Sequence, residues 1–414
     1  MAGYTVFARY SYVYIVMMIL TGCYRPGPAS SGVSIDSEVS TFQEDMEFLQ
    51  RYGPVQILEG PNGSRAALSA QYQGRVMTSA VDYNGASLGW INRRFIASRR
   101  TGTQFDNYGG EDRFWLGPEG GQYGLYFSKG SPFEFSHWQV PGALQGEPWA
   151  IQKQTATSVT YTHAMQVTNY IGTIFDLKVE RTVHLLSVEE IEQKMGITLP
   201  EAVKWVGFAA ENCVTNTGQK AWTKETGLLS IWILGMFNPF GETHVVVPFD
   251  AAAGGEIVND AYFGKVPPDR LDLCENYLIF KCDGEYRSKI GLGPEHALSM
   301  MGSYNVSRGL LTLIQFNKPE GATDYVNSMW EFQEKPYSGD VVNSYNDGPI
   351  EPGKPALGGF DELETSSPAL ALSPGESYTH THRTLHLIGG PTALDSIARA
   401  ALDVSLFEIA DRVK

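Results

Sequence analysis

Cysteine is scarce in this chain. Its 414 residues include 4 Cys, at positions 23, 213, 274 and 282. No pair is spaced CxxC and none has zinc-like spacing to histidine, which argues against a structural metal centre. Cys274 and Cys282 are left as either a disulfide across a hairpin or two buried thiols. Basic residues are also short: 31 Lys and Arg stand against 46 Asp and Glu, for a net charge of -15. A phosphate backbone demands clustered cations, so nucleic acid is not an expected partner. Tyr10 to Leu20 is apolar but falls short of the about 20 residues that a membrane-spanning helix needs. There is no internal repeat, and beyond the first 40 residues no break in composition that would mark a domain boundary.

Aromatics and turn formers are abundant: 8 Trp, 21 Tyr, 20 Phe, 44 Gly and 22 Pro. That mixture suits a strand-rich, turn-rich fold. With 43% hydrophobic residues the chain can bury a large core, and large all-β folds often run to this length as one unit. The rings serve core packing first, and rings of this kind also stack on sugar faces.

The amino terminus looks like an address. The apolar run after Arg9 fits the core of a signal peptide, residues 1–22. Leu20-Thr21-Gly22-Cys23 follows at once and resembles the bacterial lipobox, in which the cysteine is lipidated and becomes the new terminus. A plain secretory signal is the alternative. Residues 23–40 are rich in Pro, Gly and Ser and read as a flexible tether. The expected location is the bacterial cell envelope, with the protein lipid-anchored at the outer membrane or the periplasmic face.

From residue 41 to 414 the pattern is that of one β domain. Thr41 to Tyr52 has helical spacing and an acidic first turn. Short alternating runs follow, among them VQILEG, RAALSAQYQGRVMTSAV and SLGWINRRFI, and each reads as strand. Tyr161 to Val183 gives two strands around a turn near Asn169 to Gly172. Ser187 to Lys204 reads as a helical insertion with a serine cap and a glutamate at its third helical position. Residues 392–413 carry an amphipathic helix or a pair of helices.

Three clusters hold residues able to do chemistry. In SYTHTHRTLHL, Tyr378, His380, His382, Thr384 and His386 share one strand face, because strand side chains alternate. His-x-His on a strand suits metal binding, but a structural polar face is the favoured reading and no metal is expected. GGEDRFWLGPEGG sets Glu111, Asp112, Arg113, Trp115 and Glu119 between glycine pairs, which permit a tight exposed loop. There Arg113 would fork onto hydroxyls or a carboxylate and Trp115 would be a stacking platform. The alternative is an internal network that stiffens the loop. DVVNSYNDGP clusters Asn343, Tyr345 and Asp347, turn formers that can also hold sugar hydroxyls, and Arg287 and Lys289 are candidates for the same mouth.

Leu363-Glu364-Thr365, followed by Leu372-Ser373-Pro374-Gly375-Glu376, resembles the galactose-mutarotase-like proteins, aldose epimerases among them. The phrase Asn212 to Gly218 is similar to the one before that family's catalytic strand. The loop Tyr108 to Phe127 resembles a group of secreted bacterial proteins that share the fold. The resemblance implies an all-β fold, a large antiparallel β-supersandwich with a few peripheral helices. It also implies a carbohydrate partner, mono- or oligosaccharide, and Glu364 as a catalytic base. Leu234 stands where the family has its general-acid histidine. The acid must then come from elsewhere, with His137, His244, Glu119 and Asp347 as candidates. Three functions stay open: a sugar epimerase or mutarotase, a non-catalytic glycan-binding or scaffold protein, and a glycoside hydrolase or polysaccharide lyase. No cofactor is expected. A monomer is expected, touching membrane through its lipid anchor only.

Overall fold

The strand pattern closes into two large antiparallel sheets and a small third one. A computed structural model describes residues 40–239, 243–350 and 353–412. The signal peptide, Cys23 and the tether up to residue 39 lie outside the described residues, as does Val413 at the end of the expected C-terminal helix. The ten-stranded sheet runs from Leu271–Leu273 at one edge to Ala150–Gln154 at the other, with Ser377–Ile388 and Lys204–Asn216 paired near its centre. The five-stranded sheet has the order Ser288–Leu292, Val342–Asn346, Asp361–Ser366, Ser230–Phe237, Arg113–Gly117. A three-stranded meander, Gln56–Glu59, Arg65–Ser69 and Arg75–Ala80, completes the β structure.

The two larger sheets share a hydrophobic core. Phe114, Ile231 and Ile233 of the five-stranded sheet pack with Val179, Phe208 and Val214 of the ten-stranded one. Further along, Leu292, Val342 and Leu363 pack with Val245, Phe280 and Ile314. The chain is thus the all-β antiparallel supersandwich expected, with helices only at its periphery.

The other face of the ten-stranded sheet is covered by helices Val188–Met195, Pro391–Leu402 and Leu406–Arg412. The first is shorter than the helical insertion read from the sequence. Gly196 takes the left-handed conformation (φ 69°) and ends the helix there. Its serine cap is present, with Ser187 and Glu190 exchanging hydrogen bonds. The C-terminal segment is a pair of helices, interrupted where Asp403 is left-handed (φ 53°). The amino-terminal helix spans Phe42–Gln50, boxed by Thr41 and Glu44. SLGWINRRFI is not the strand expected. Asn92 accepts a hydrogen bond from the Phe95 amide (2.9 Å) and opens a short helix, Arg93–Ser98.

His380, His382, Thr384 and His386 face the other sheet and are buried. Thr365 bonds both His380 (2.8 Å) and His382 (2.9 Å), and Thr312 bonds His386 (2.8 Å). Burial, with a small push from neighbouring charge, holds His380 and His382 down to about 3, so both are neutral. Cys213, Cys274 and Cys282 are free thiols.

Candidate functional site

The five-stranded sheet turns one face to the core and the other to a cleft, and alternation sorts its side chains. In Asp361–Ser366, Leu363 and Thr365 point inward. Glu362 and Glu364 therefore point outward. The register lines up two rows across the outer face. Lys289, Tyr345, Glu362 and Met236 are successive cross-strand partners, and so are Asn343, Glu364, Leu234 and Arg113. Trp115 stands opposite Trp232.

Loops raise an aromatic wall around that floor. Phe105, Phe135, Trp138, Phe263, Trp330 and Phe360 enclose a hollow of about 540 Å³, its open mouth included. Several rings are close to parallel: Phe135 lies 6.0 Å from Trp138 at 14°, and Trp138 lies 6.3 Å from Trp330 at 23°. Arg113, Glu119, Arg287, Lys289 and Glu362 place charge among these rings.

The floor charges pair diagonally. Arg113 donates to Glu362 at 2.6 Å and lies 4.1 Å over the Trp115 ring. Lys289 donates to both oxygens of Glu364, at 2.8 and 3.0 Å, and Trp232 Nε1 donates to the same carboxylate at 2.8 Å. Glu119 accepts from Trp138 Nε1 at 2.7 Å. Burial pushes the Glu362 carboxyl up to about 8; Arg113 and Lys289 pull it down, while Glu364 and Asp347 add to the rise. Burial also raises Glu119 above its ordinary value, against the pull of Lys289 and the two indole donors, and Glu364 adds to that rise. For Lys289 burial pulls downward, but Glu364 and Glu119 outweigh it and keep the ammonium above its usual value. Two carboxyls raised toward neutrality in one hollow can take and give protons near pH 7.

The structure brings Arg113, Trp115, Glu119, Arg287, Lys289 and Tyr345 together at the hollow. Glu364 sits fully buried in the floor, bonded to Lys289 and Trp232. Other residues expected at the site are elsewhere. Asp112 is buried against Arg181 (2.5 Å) and Glu111 against His386 (3.0 Å); both precede the strand that begins at Arg113. Asp347 accepts from the amides of Gly358 and Gly359 (2.7 Å each) and from the Tyr345 hydroxyl (3.0 Å), which makes it a turn anchor. Asn343 spends its amide on the Ile290 carbonyl, Tyr262 and Asp340. His137 is exposed on a short 3-10 turn beside Ser136. His244 is buried in the ten-stranded sheet. Among the described residues no three His, Cys, Asp or Glu side chains gather as metal ligands.

Sequence reading missed Glu362, the carboxyl that lines the hollow, although it lies two residues before Glu364 on the same strand face. It also missed the wall residues Trp138 and Trp330, which lie far apart in sequence and carry no local pattern.

A family model matches residues 40–413 and carries the description "Family of unknown function (DUF6786)". The chain belongs to the DUF6786 family. No curated protein matches this DUF6786 chain. Among solved structures, a candidate aldose 1-epimerase from Escherichia coli K12 is similar at 12% identity and a TM-score of 0.49, over 81% of this chain and all (100%) of that one. A galactose mutarotase-related enzyme from Lactobacillus acidophilus is similar at 10% identity and a TM-score of 0.46, over 80% of this chain and 97% of that one. A galactose mutarotase-like protein from Lactobacillus casei ATCC 334 is similar at 11% identity and a TM-score of 0.46, over 80% of this chain and 100% of that one. At such distances neither chemistry nor substrate carries across to the DUF6786 chain.

Proposed function

We propose that the cleft binds a sugar and that Glu119 and Glu362 move protons at its ring. One observation carries this reading: two carboxyls raised by burial face a single hollow walled by nearly parallel aromatic rings. Such rings cover the C–H face of a pyranose, while fixed charges hold its hydroxyls. Mutarotation needs one ionised and one protonated carboxyl. The first takes the proton of the anomeric hydroxyl as the second protonates the ring oxygen, and the bond between ring oxygen and anomeric carbon breaks. Reclosure on the other face of the aldehyde reverses the transfers: the hydroxyl that had been the ring oxygen returns its proton to the second carboxyl, and the first carboxyl gives its proton to the carbonyl oxygen. Leu234 in the floor makes no difference to this scheme, because neither group comes from its strand.

Glu364 takes a supporting part in this reading. Its bonds to Lys289 and Trp232 fix the floor, and its charge helps to raise both Glu119 and Glu362. A second reading, a glycan-binding protein without catalysis, is favoured by the Arg113–Glu362 ion pair at 2.6 Å, which occupies the carboxyl that would work.

Anomer exchange followed by NMR on pure anomers separates the two. Acceleration over buffer that drops about 100-fold or more in both Glu119→Gln and Glu362→Gln supports proton transfer. Binding without acceleration leaves the glycan-binding reading, and absence of any sugar binding removes both.

We propose further that Cys23 anchors the domain in the cell envelope, on the strength of the sequence motif alone. Among the described residues no helix is long and apolar enough to cross a membrane. Palmitate labelling that persists in Cys23→Ser would overturn the anchor.

A further inference from the structure

Three cations face the hollow, and two of them already have carboxylates: Arg113 holds Glu362, and Lys289 holds Glu364. Arg287 is different. It has no ion pair among the described residues, its Nε is buried without a hydrogen-bond partner, and it lines the hollow. Its guanidinium lies 3.8 Å over the Phe263 ring and 5.5 Å from that of Phe135. Stacking of this kind fixes the plane of the group and leaves the N–H groups not given to Tyr345 to meet a ligand.

Neighbouring acids do not meet this charge. Asp347 is committed to two backbone amides and to the hydroxyl of Tyr345, which itself takes a hydrogen bond from Arg287. Glu362 faces Arg113. A half-buried cation without a counter-charge costs stability, and a ligand that brings the missing charge recovers it.

We infer that the sugar taken by this cleft carries an anionic group, a carboxylate or a phosphate, and that Arg287 pairs with it. This rests on the sugar-binding reading above and adds the charge class of the ligand. A planar fork suits a carboxylate in two-bond contact and also grips a phosphate. The ring of the same sugar would lie against the aromatic wall within reach of Glu119 and Glu362, so that Arg287 sets which sugars enter while the carboxyls act on them.

Calorimetric titration of the full-length protein tests this with glucose, galactose, glucuronate, galacturonate and glucose 6-phosphate. At least one anionic sugar should bind ten-fold or more tighter than its neutral parent, a difference of about 1.4 kcal/mol. That ratio should shrink as salt rises. In Arg287→Met the ratio should fall close to one, and Arg287→Lys should keep part of it. A preference confined to uronates assigns the carboxylate, and one confined to the phosphate assigns the phosphate. Equal affinity for neutral and anionic sugars in the wild type overturns the inference yet leaves sugar binding intact. Preference that survives in a folded Arg287→Met overturns the role of Arg287. If no sugar of either charge binds, the sugar-binding reading falls and takes this inference with it. The wild-type comparison and its salt dependence stand even if the variants fail to fold.

Discussion

Two charged clusters flank the five-stranded sheet, built from the same residue types and put to different uses. In the sealed one Arg181 is fully buried and bonds Asp112 (2.5 Å), Asn212 (2.5 Å) and the Gly74 carbonyl (3.0 Å). His386 joins Glu111 there at 3.0 Å. In the open one Arg113 holds Glu362 and Lys289 holds Glu364, and those pairs form the floor of an aromatic hollow. The consecutive residues Glu111, Asp112 and Arg113 divide between the two. The first cluster binds parts of the chain distant in sequence; the second keeps a cation, Arg287, that has no carboxylate partner among the described residues. An internal ion pair with every partner inside is scaffold. One that edges a hollow and leaves charge over is a site.

Breaking the sealed cluster should produce the largest effect on stability. Arg181→Met leaves Asp112 buried without its cation and should cost about 3–5 kcal/mol, read from urea denaturation. A loss below about 1 kcal/mol would show that the sealed cluster is not the scaffold and that the two clusters do not differ in this way. Glu362→Gln should behave in the opposite way, with a small change in stability and a fall of about 100-fold in anomer exchange. Equal stability losses in Arg181→Met and Glu362→Gln would erase the comparison.

Titration should sharpen the contrast. His380 and His382 are held near 3 when folded, below their ordinary 6.5. Their contribution to stability is therefore complete above about 6.5 and is lost as pH falls from there toward 3. Glu362 is raised from its ordinary 4.5 to about 8. Its contribution is complete below about 4.5 and is lost as pH rises through 8. Denaturation midpoints measured across pH should thus decline on the acid side in a way that His382→Asn reduces. Between pH 5 and 8 they should decline in a way that Glu362→Gln removes. The smallest effect expected is that of Trp138→Phe, which takes one indole donor from Glu119. About 1 kcal/mol of stability should go with it. A pH–rate profile should show the limb due to Glu119 moving to higher pH, because a hydrogen bond to the ionised form is gone.

Local signals were legible where the chain's own chemistry decides the outcome. The boxes at Thr41 and Ser187 are written in four residues each, and both form. The period-two strand face of His380, His382, Thr384 and His386 was readable, although not that it would be buried against another sheet. SLGWINRRFI misled because its apolar spacing suits a strand, while the side chain of Asn92 was free to cap a helix. At the site, the segment bearing Glu364 was legible as a resemblance to a family motif. The depth at which Glu364 lies was not, since it depends on Lys289 and Trp232, which are 75 and 132 residues away.

By itself the sequence determined that strands would dominate and where two of the helices would begin. Those follow from neighbours in the chain. Only the tertiary structure decided which carboxyl meets the hollow and which is sealed beside it. Glu362 and Glu364 share one strand face and nearly one local context, and cross-strand register alone sets Arg113 and Lys289 diagonally against them. It likewise took the closing of the aromatic loops to leave Arg287 facing open space. A side chain's pairing depends on what the fold brings within about 3 Å of it, and that distance is set by register between strands remote in sequence.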